Sequence, residues 1–449
     1  MRSRAGWLSV VLLAVAIPSH AYRMSAWVPA WDSKALASMQ SNAGKLDEAN
    51  PGWYTIAADG GVTKNSNAEA ADMRAALAGI DLVPTIKNYV GGKFDGNLVA
   101  NVVGSPTLRE KHAEALTQLV VQNAYEGIDI DYESMNAAAR PNFTLFVQLL
   151  AQKLHGAGKK LSVTVSAKTS DADNWSGPAG EDWRAIGAAA DTVKIMAYDN
   201  HWDGSAAGAI APLNWLDNIA TYAEATMPAQ KIIMGLPWYG YDWQGTNATD
   251  LVYSEAVALA QRVGAQIAYD ANGEATFAYS GRTVYFQDSS SYAKKVDAIL
   301  KKHPQIGGFA HWRAGGEDPA IWTDVARLHN SSSSGGTPVA GNFVIAGPTV
   351  LVAKAGQQSQ VIYAVTSING WSGIADVAVQ QIDAFPGSLS VTTTARVGAP
   401  AVLTLTPNAN AAPGQYRLKI RMTSGTIANE TTLTVQVESS VNKRRSAHH

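Results

Sequence analysis

Asp129, Asp131 and Glu133 stand at every second position of the segment Glu126-Gly127-Ile128-Asp129-Ile130-Asp131-Tyr132-Glu133. In a strand alternate side chains share a face, so the three carboxylates project together, about 7 Å apart along the backbone, while Ile128, Ile130 and Tyr132 project oppositely. Stacked acids repel and their pKa values separate, so that one carboxyl stays protonated near neutral pH beside an ionised neighbour. Acid-catalysed bond cleavage requires that pairing. The competing reading is an amphipathic strand of an antiparallel sheet with a wet acidic face.

The surrounding elements bear on that choice. Between residues 22 and 329, β-branched or aromatic runs alternate with alanine- and leucine-rich stretches, the pattern of repeated βα units. The runs Met24–Trp31, Trp53–Ala57, Leu82–Lys87, Gly127–Tyr132, Leu161–Ala167, Thr192–Tyr198, Lys231–Leu236 and Ile306–Trp312 predict eight strands. Eight strands imply an α/β fold, a closed (β/α)8 TIM barrel. Arg109–Gln122 and Phe143–Leu154 carry apolar residues at helical spacing after capping or turn chemistry. Residues 241–290 exceed what a bare barrel needs. They predict a small α+β insertion before the last strand, with a helix at Ser254–Val263 and strands at Gln266–Tyr269, Ala275–Tyr279 and Thr283–Phe286, forming one wall of a cleft.

Residues 330–341 have Ser/Gly linker composition. From 342 to 438, Val/Thr/Ile-rich runs at Thr349–Ala353, Gln360–Ser367, Ala375–Gln380, Ser388–Thr394, Ala401–Thr406, Gln415–Thr423 and Glu430–Val437 predict a C-terminal immunoglobulin-like β-sandwich without the Cys-Trp-Cys marker. Residues 439–449 form a basic tail around Lys443-Arg444-Arg445, read as a solvated charge cluster.

Catalytic residues of a barrel lie at the C-terminal ends of its strands. Asp131 and Glu133 end the fourth candidate strand, Met196-Ala197-Tyr198-Asp199 the sixth, Leu236-Pro237-Trp238-Tyr239-Gly240 the seventh and Trp312 the eighth. Carboxylates among aromatic platforms point to a sugar polymer, whose apolar faces stack on rings while its hydroxyls and glycosidic oxygens meet the acids.

With these motifs on the page, residues 24–329 resemble the family 18 glycoside hydrolases, the chitinase and N-acetylglucosaminidase group with D-G-x-D-x-D-x-E on the fourth strand. The resemblance extends to Gly307-Gly308-Phe309-Ala310-His311-Trp312-Arg313 with Glu317-Asp318 following, and to the insertion. Gly235–Trp243 and Trp312–Asp318 look most like the bacterial spore-cortex-lytic type of peptidoglycan N-acetylglucosaminidase. The resemblance implies that Glu133 is the general acid and that the nucleophile is the substrate's own 2-acetamido oxygen, an exception to the usual two-carboxylate scheme. Asp131 would orient the acetamido group and stabilise the oxazolinium ion, and Asp129 would share a proton or hydrogen bond with Asp131. Tyr198 would hydrogen-bond the acetamido oxygen, Met196 and Asp199 would line the subsite of the cleaved sugar, and Trp312 would form its floor. Spacing alone leaves a second route open, since an i, i+2 carboxyl pair can approach the roughly 5 Å separation at which Asp131 itself is the nucleophile. Glu126 departs from the family's first aspartate and is read as structural.

Tyr239 is a further substrate-binding candidate. With Trp27, Trp31, Tyr54, Asn88, Trp202 and Trp238 it lies near a strand end, where groove lining and packing are equal alternatives. Trp175 and Trp183, in the loop after the fifth strand, are more remote candidates for a substrate wall, and the sandwich aromatics Tyr363, Trp371, Phe385 and Tyr416 form no evident planar row.

Composition narrows the partners. A formal net charge of −2 over 449 residues gives no electrostatic case for nucleic acid or anionic membranes. Arg2 and Arg4, the apolar stretch Trp7–Ile17 and Ser19-His20-Ala21 predict a signal peptide over residues 1–21, so the mature chain is expected to be exported, secreted or periplasmic. The apolar stretch is too short to span a bilayer, and no later segment reaches the ~20 residues required. Zero cysteines exclude disulfides, a lipidated cysteine and thiolate zinc sites, and the nine histidines are scattered, so neither metal nor cofactor is expected. The expected partner is a polysaccharide containing N-acetylglucosamine: chitin, chitooligosaccharides, peptidoglycan glycan and the chitobiose core of N-glycans all present the acetamido group. The sandwich is read chiefly as a spacer, with cell-wall or chitin contact as the alternative. A non-catalytic sugar-binding protein on the same barrel is the competing class, disfavoured because Glu133 is present, and an adhesive protein working through the sandwich is disfavoured because the barrel motifs are complete.

Overall fold

Short buried strands alternate with capped helices from residue 23 to residue 330 of the computed structural model, which describes residues 22–172, 174–330, 342–368, 374–396, 399–424 and 427–438. The expected signal peptide, Ser/Gly linker segment 331–341, Trp371 and basic tail lie outside the described residues. The barrel strands are β1 (Arg23–Val28), β2 (Glu48–Ile56), β3 (Thr85–Lys87), β4 (Gly127–Asp131), β5 (Lys160–Ser166), β6 (Thr192–Met196), β7 (Ile232–Pro237) and β8 (Gly308–Trp312). Each pairs in parallel with the next, and β8 pairs with β1, which closes the barrel. Two short segments, Val62–Lys64 and Asp81–Leu82, also pair with β2.

All eight expected strands are present, with shifted ends. β2 begins at Glu48, well before the expected Trp53, although Asn50-Pro51-Gly52 has turn composition; pairing of Ser25 to Val28 with Glu48 to Pro51 makes it a strand. The third expected strand is broken at Val83-Pro84, where proline supplies no backbone donor to a ladder.

The helices obey local rules. Asp95 accepts from the N–H groups of Asn97 and Leu98 to start the helix Gly96–Gly104, and Ser105 caps Pro106–Gln122, whose first residue is a proline. The outward face of β4, Ile128 and Ile130, joins one core with Leu116, Val120 and Phe146 from the flanking helices. Tyr132 extends that face, stacking near Phe146, and its hydroxyl donates to His112 Nε2 at 2.6 Å. Burial lowers the His112 imidazole to about 4, so it is neutral and donates through Nδ1 to the Gly60 carbonyl.

The interior of the barrel is polar at its centre. Lys194 Nζ, on β6, meets Glu48 Oε1 at 2.7 Å, Ser162 Oγ at 2.6 Å and Asp129 Oδ1 at 3.3 Å. Asn50 Nδ2 donates to the same Glu48 oxygen, and Arg23 Nε lies 3.4 Å from the other. Burial alone would raise the Glu48 carboxyl; Lys194 and Arg23 outweigh it and hold it at about 2.

Between β7 and β8 the insertion is a five-stranded antiparallel sheet in the order Asn247–Leu251, Gly240–Gln244, Arg282–Phe286, Ala275–Tyr279, Ala268–Tyr269, covered by the helix Tyr253–Val263. The first two strands were not anticipated. Glu274, buried with Lys295 at 2.8 Å, accepts from the Ile210 N–H at 2.6 Å and so ties the insertion to the loop after β6.

The C-terminal residues form two sheets sharing one core that includes Phe343, Tyr363, Leu403, Leu405, Leu418, Ile420, Leu433 and Val435. Each of the seven expected runs contains a strand, and Asn342–Ala346 is an additional one. No helix among the described residues is long and apolar enough to cross a membrane.

Removing the interior cation should be costly, because Glu48 and Asp129 would be left buried without it. Lys194→Met is expected to lower unfolding stability by about 3–5 kcal/mol in urea titrations, and adding Glu48→Gln to recover part of the loss. Unchanged stability of the single variant would refute the compensating role.

Candidate active site

The three β4 carboxylates sit at successive depths and have different partners. Asp129 is fully buried and accepts from Trp27 Nε1 at 3.2 Å, Thr85 Oγ1 at 3.0 Å, Ser162 Oγ at 2.6 Å and Thr164 Oγ1 at 3.1 Å, besides facing Lys194. These donors and the lysine face its oxygens.

Asp131 ends β4, where the barrel register places it directly beside Lys87 of β3. Lys87 Nζ lies 3.3 Å from Asp131 Oδ2, and Asp131 Oδ1 is buried with no hydrogen-bond partner. Burial raises the Asp131 carboxyl, with Asp129 adding to the rise and Lys87 and Lys194 opposing it.

Glu133 follows two residues later. Asn88 grips its backbone from both sides, accepting from the Glu133 N–H at 2.9 Å and donating to its carbonyl at 2.8 Å. Ser134 then adopts φ of 62°, which turns the chain away from the strand direction. The Glu133 carboxyl has no counter-cation in contact among the described residues. Burial raises it well above the usual carboxylate range, the charges of Asp131, Glu181 and Asp199 raise it further, and Lys87 opposes. Both carboxyls are thus raised, and of the two only Asp131 has a cation in contact among the described residues.

The other expected residues surround this pair. Tyr198, beyond the end of β6, packs edge-on to Trp27 and Tyr239, and burial with nearby carboxylates holds its hydroxyl protonated. Tyr239 is buried and donates to Asp199, which also accepts from the Tyr241 hydroxyl at 3.1 Å. Met196 is half-buried at the end of β6. Trp312 ends β8 with its ring centroid 6.4 Å from Trp27 and 6.5 Å from Trp31, and Lys87 Nζ lies 4.6 Å from its ring centre. Trp27, Trp31, Asn50, Lys87 and Trp312 line a cleft.

The groove candidates divide. Trp31, Trp175 and Trp202 are exposed at 65%, 66% and 53%. Tyr54 is buried against Tyr125, Trp238 is buried with its ring stacked on His311 at 4.3 Å, and buried Trp183 donates to Glu181, so these three pack rather than line a groove. Glu126 accepts from the Leu82 N–H at 2.7 Å, a structural contact at the start of β4.

Three charged residues went unanticipated. Lys87 was visible as a cation at the end of the third expected strand, and Lys194 as a charge inside the buried run Thr192–Met196. Glu181 carried no sequence signal. It is buried in the segment after β5 and accepts from the Ser166 N–H at 2.9 Å and Trp183 Nε1 at 3.1 Å.

The fold and this constellation match known proteins. Residues 43–317 match the model of the glycosyl hydrolases family 18. The chain belongs to that family. It is 35% identical over 266 residues to the YdhD protein of Bacillus subtilis, covering 57% of this chain and 63% of that one. It is 31% identical over 249 residues to the cortical fragment-lytic enzyme of Bacillus anthracis, covering 53% of this chain and 57% of the relative. Matches to these two relatives thus span less than two thirds of their length. Among solved structures, the chitinase from Chromobacterium violaceum superposes with a TM-score of 0.64 at 28% identity, over 70% of this chain and all (100%) of that one. The Bacillus cereus spore cortex-lytic enzyme SleL superposes with a TM-score of 0.63 at 23% identity, over 69% and 74% of the two chains, and shares the fold.

Glu181 makes the stability of this family 18 barrel depend on pH. Burial raises its carboxyl from 4.5 to about 7, against the opposing Ser166 and Trp183 donors. The native state then holds a proton that the unfolded chain has released, so this group's contribution to stability is largest below about 4.5 and falls as pH rises to about 7. In Glu181→Gln that contribution is absent. The difference in unfolding free energy, wild type minus variant, is expected to fall by up to about 3 kcal/mol across that window in urea titrations, and a flat difference would show that Glu181 ionises normally.

Proposed function

We propose that this chain is a glycoside hydrolase acting on β-linked polysaccharides that contain N-acetylglucosamine, with Glu133 as general acid and the substrate's acetamido oxygen as nucleophile. The observation that carries the proposal is the contrast at the end of one strand: a Glu133 carboxyl with no cation in contact among the described residues, raised well above the usual carboxylate range by burial and neighbouring acids, beside an Asp131 that faces Lys87 at 3.3 Å.

In the proposed reaction Glu133 transfers its proton to the glycosidic oxygen as the C1–O bond breaks. The acetamido carbonyl oxygen attacks C1 from the opposite face and forms an oxazolinium ion. Asp131 accepts the acetamido N–H at its free oxygen and offsets the positive charge as it forms. Tyr198 donates to the acetamido oxygen and holds it on line, and Trp312 carries the sugar ring. The glutamate then takes a proton from water, which opens the ring at C1 with net retention. Asp129, held in place by its own donors, would share a proton or hydrogen bond with Asp131.

Substrate class follows the company the chain keeps. Its relatives and neighbours include a cortical fragment-lytic enzyme and a chitinase, which supports peptidoglycan and chitin as the two candidate polymers. The signal-like segment at residues 1–21 supports export. We assign residues 22–329 to the catalytic unit and read the two C-terminal sheets as an immunoglobulin-like sandwich that serves as a spacer.

Glu133→Gln is expected to lose on the order of 10²-fold or more in kcat on chitooligosaccharides or purified peptidoglycan, while oligosaccharide binding persists. Equal turnover by the two proteins would reject Glu133 as the acid. Rapid cleavage of cello-oligosaccharides, which lack the acetamido group, would reject the substrate-assisted route.

A further inference from the structure

We propose that Lys87 is a positioning residue of the catalytic pair: its ammonium holds Asp131 as a carboxylate in the free enzyme and sets the pH range over which the pair is active. The inference rests on the assignment of Asp131 and Glu133 as the catalytic pair.

Three features of the structure carry it. First, Lys87 is the register partner of Asp131 across the β3–β4 ladder, so the two side chains stand side by side at the barrel mouth, with Nζ 3.3 Å from Oδ2. Second, the lysine is held there: Nζ lies 4.6 Å from the centre of the Trp312 ring and 6.0 Å from that of Phe94, and its side chain is 15% exposed. Third, Asp129 is engaged elsewhere. Its oxygens accept from Trp27, Thr85, Ser162 and Thr164 and face Lys194, which leaves Lys87 as the cation in contact with Asp131 among the described residues. The residue next to Lys87 is Asn88, which grips the Glu133 backbone. The end of β3 thus sets the charge of one catalytic carboxyl and the position of the other.

The charged and titratable groups around the pair come from every side. From β4 come Asp129 and Asp131, from just beyond its end Glu133, and from β3 Lys87. Lys194 comes from β6, Tyr198 and Asp199 from the segment after it, and Glu181 from the segment after β5. Of the two cations, Lys194 is bound to Glu48, Ser162 and Asp129 at the centre of the barrel. Lys87 is the one in contact with Asp131. Removing its charge makes ionisation harder for both carboxyls. The acid limb of the activity profile, which reports an ionised Asp131, and the alkaline limb, which reports a protonated Glu133, must then both move to higher pH.

The test compares wild type, Lys87→Met and Lys87→Arg, following kcat and KM against pH on a fluorogenic chitotrioside and on purified peptidoglycan. Lys87→Met is expected to move both limbs upward by about one pH unit, equivalent to roughly tenfold lower kcat/KM on the acid side. Lys87→Arg should restore the wild-type limbs. Limbs that stay in place while activity falls uniformly would overturn the proposal, as would a change confined to KM, which would make Lys87 a substrate contact. A second readout is independent of turnover: the carboxyl of Asp131, followed by carbon-13 NMR in aspartate-labelled protein, should titrate at higher pH in Lys87→Met than in wild type. If wild type cleaves neither polymer, the functional reading fails, and this titration still decides the role of Lys87: an unmoved carboxyl overturns it.

Discussion

Lys194 extends from β6 into the barrel interior and offsets there the charge of Asp129 and, together with Arg23, that of Glu48, and the placement of the acids along β4 depends on that contact. A strand that carries acids at alternate positions puts all of them into the barrel if its apolar face is to reach the helices. Ile128 and Ile130 are committed to the outer core, so Asp129 has to face the interior. An unpaired buried carboxylate would shift its pKa or break the packing. The lysine, with the Ser162, Thr85, Thr164 and Trp27 donors, removes that conflict. It also reaches β2, because Glu48 shares the same ammonium, and so links the two halves of the barrel through one charge cluster.

Charge compensation then falls off along β4 toward the mouth. At its deepest residue, Asp129, donors and Lys194 occupy the carboxylate. At Asp131 one oxygen faces Lys87, and the other has no hydrogen-bond partner among the described residues. At Glu133 no cation is in contact among the described residues. The carboxyl with the weakest compensation is the last acid of the row, and burial with its acidic neighbours raises it well above the usual carboxylate range. The ordering needs fixed distances, which two clamps supply: the Tyr132 hydroxyl on neutral His112 at the outer face, and Asn88 on the Glu133 backbone at the inner one.

Much of this was legible in the chain because period-two alternation is a strong signal wherever one strand face is apolar and the other is not. The barrel itself was legible from eight apolar runs at βα spacing. The start of β2 was not, because Asn50-Pro51-Gly52 has the chemistry of a turn, and its strand state comes from pairing with β1. The hairpin Gly240–Gln244 and Asn247–Leu251 was not legible either, since its strands are set by pairing with each other and with Arg282–Phe286. Charged partners were the least legible. Lys87 and Lys194 are ordinary lysines locally, and they acquire meaning only when the closed register places them beside Asp131 and Asp129. Glu181 lies 48 residues from Glu133 in sequence, on a segment without regular pattern.

The incomplete satisfaction of Asp131 is the step that joins structure to reactivity. Leaving a buried acceptor without a donor costs on the order of 1–3 kcal/mol, so the native packing must hold Asp131 in place against that penalty. A substrate whose acetamido N–H reaches Oδ1 removes the penalty, and it does so most effectively when positive charge is developing on the same group. The interaction is thus stronger in the transition state than in the ground state, which is the condition for it to raise kcat rather than only tighten binding. A sugar bearing a hydroxyl at that position can donate a hydrogen bond to the aspartate but develops no charge there. In the proposed mechanism this oxygen would select for the acetamido group through rate more than through affinity.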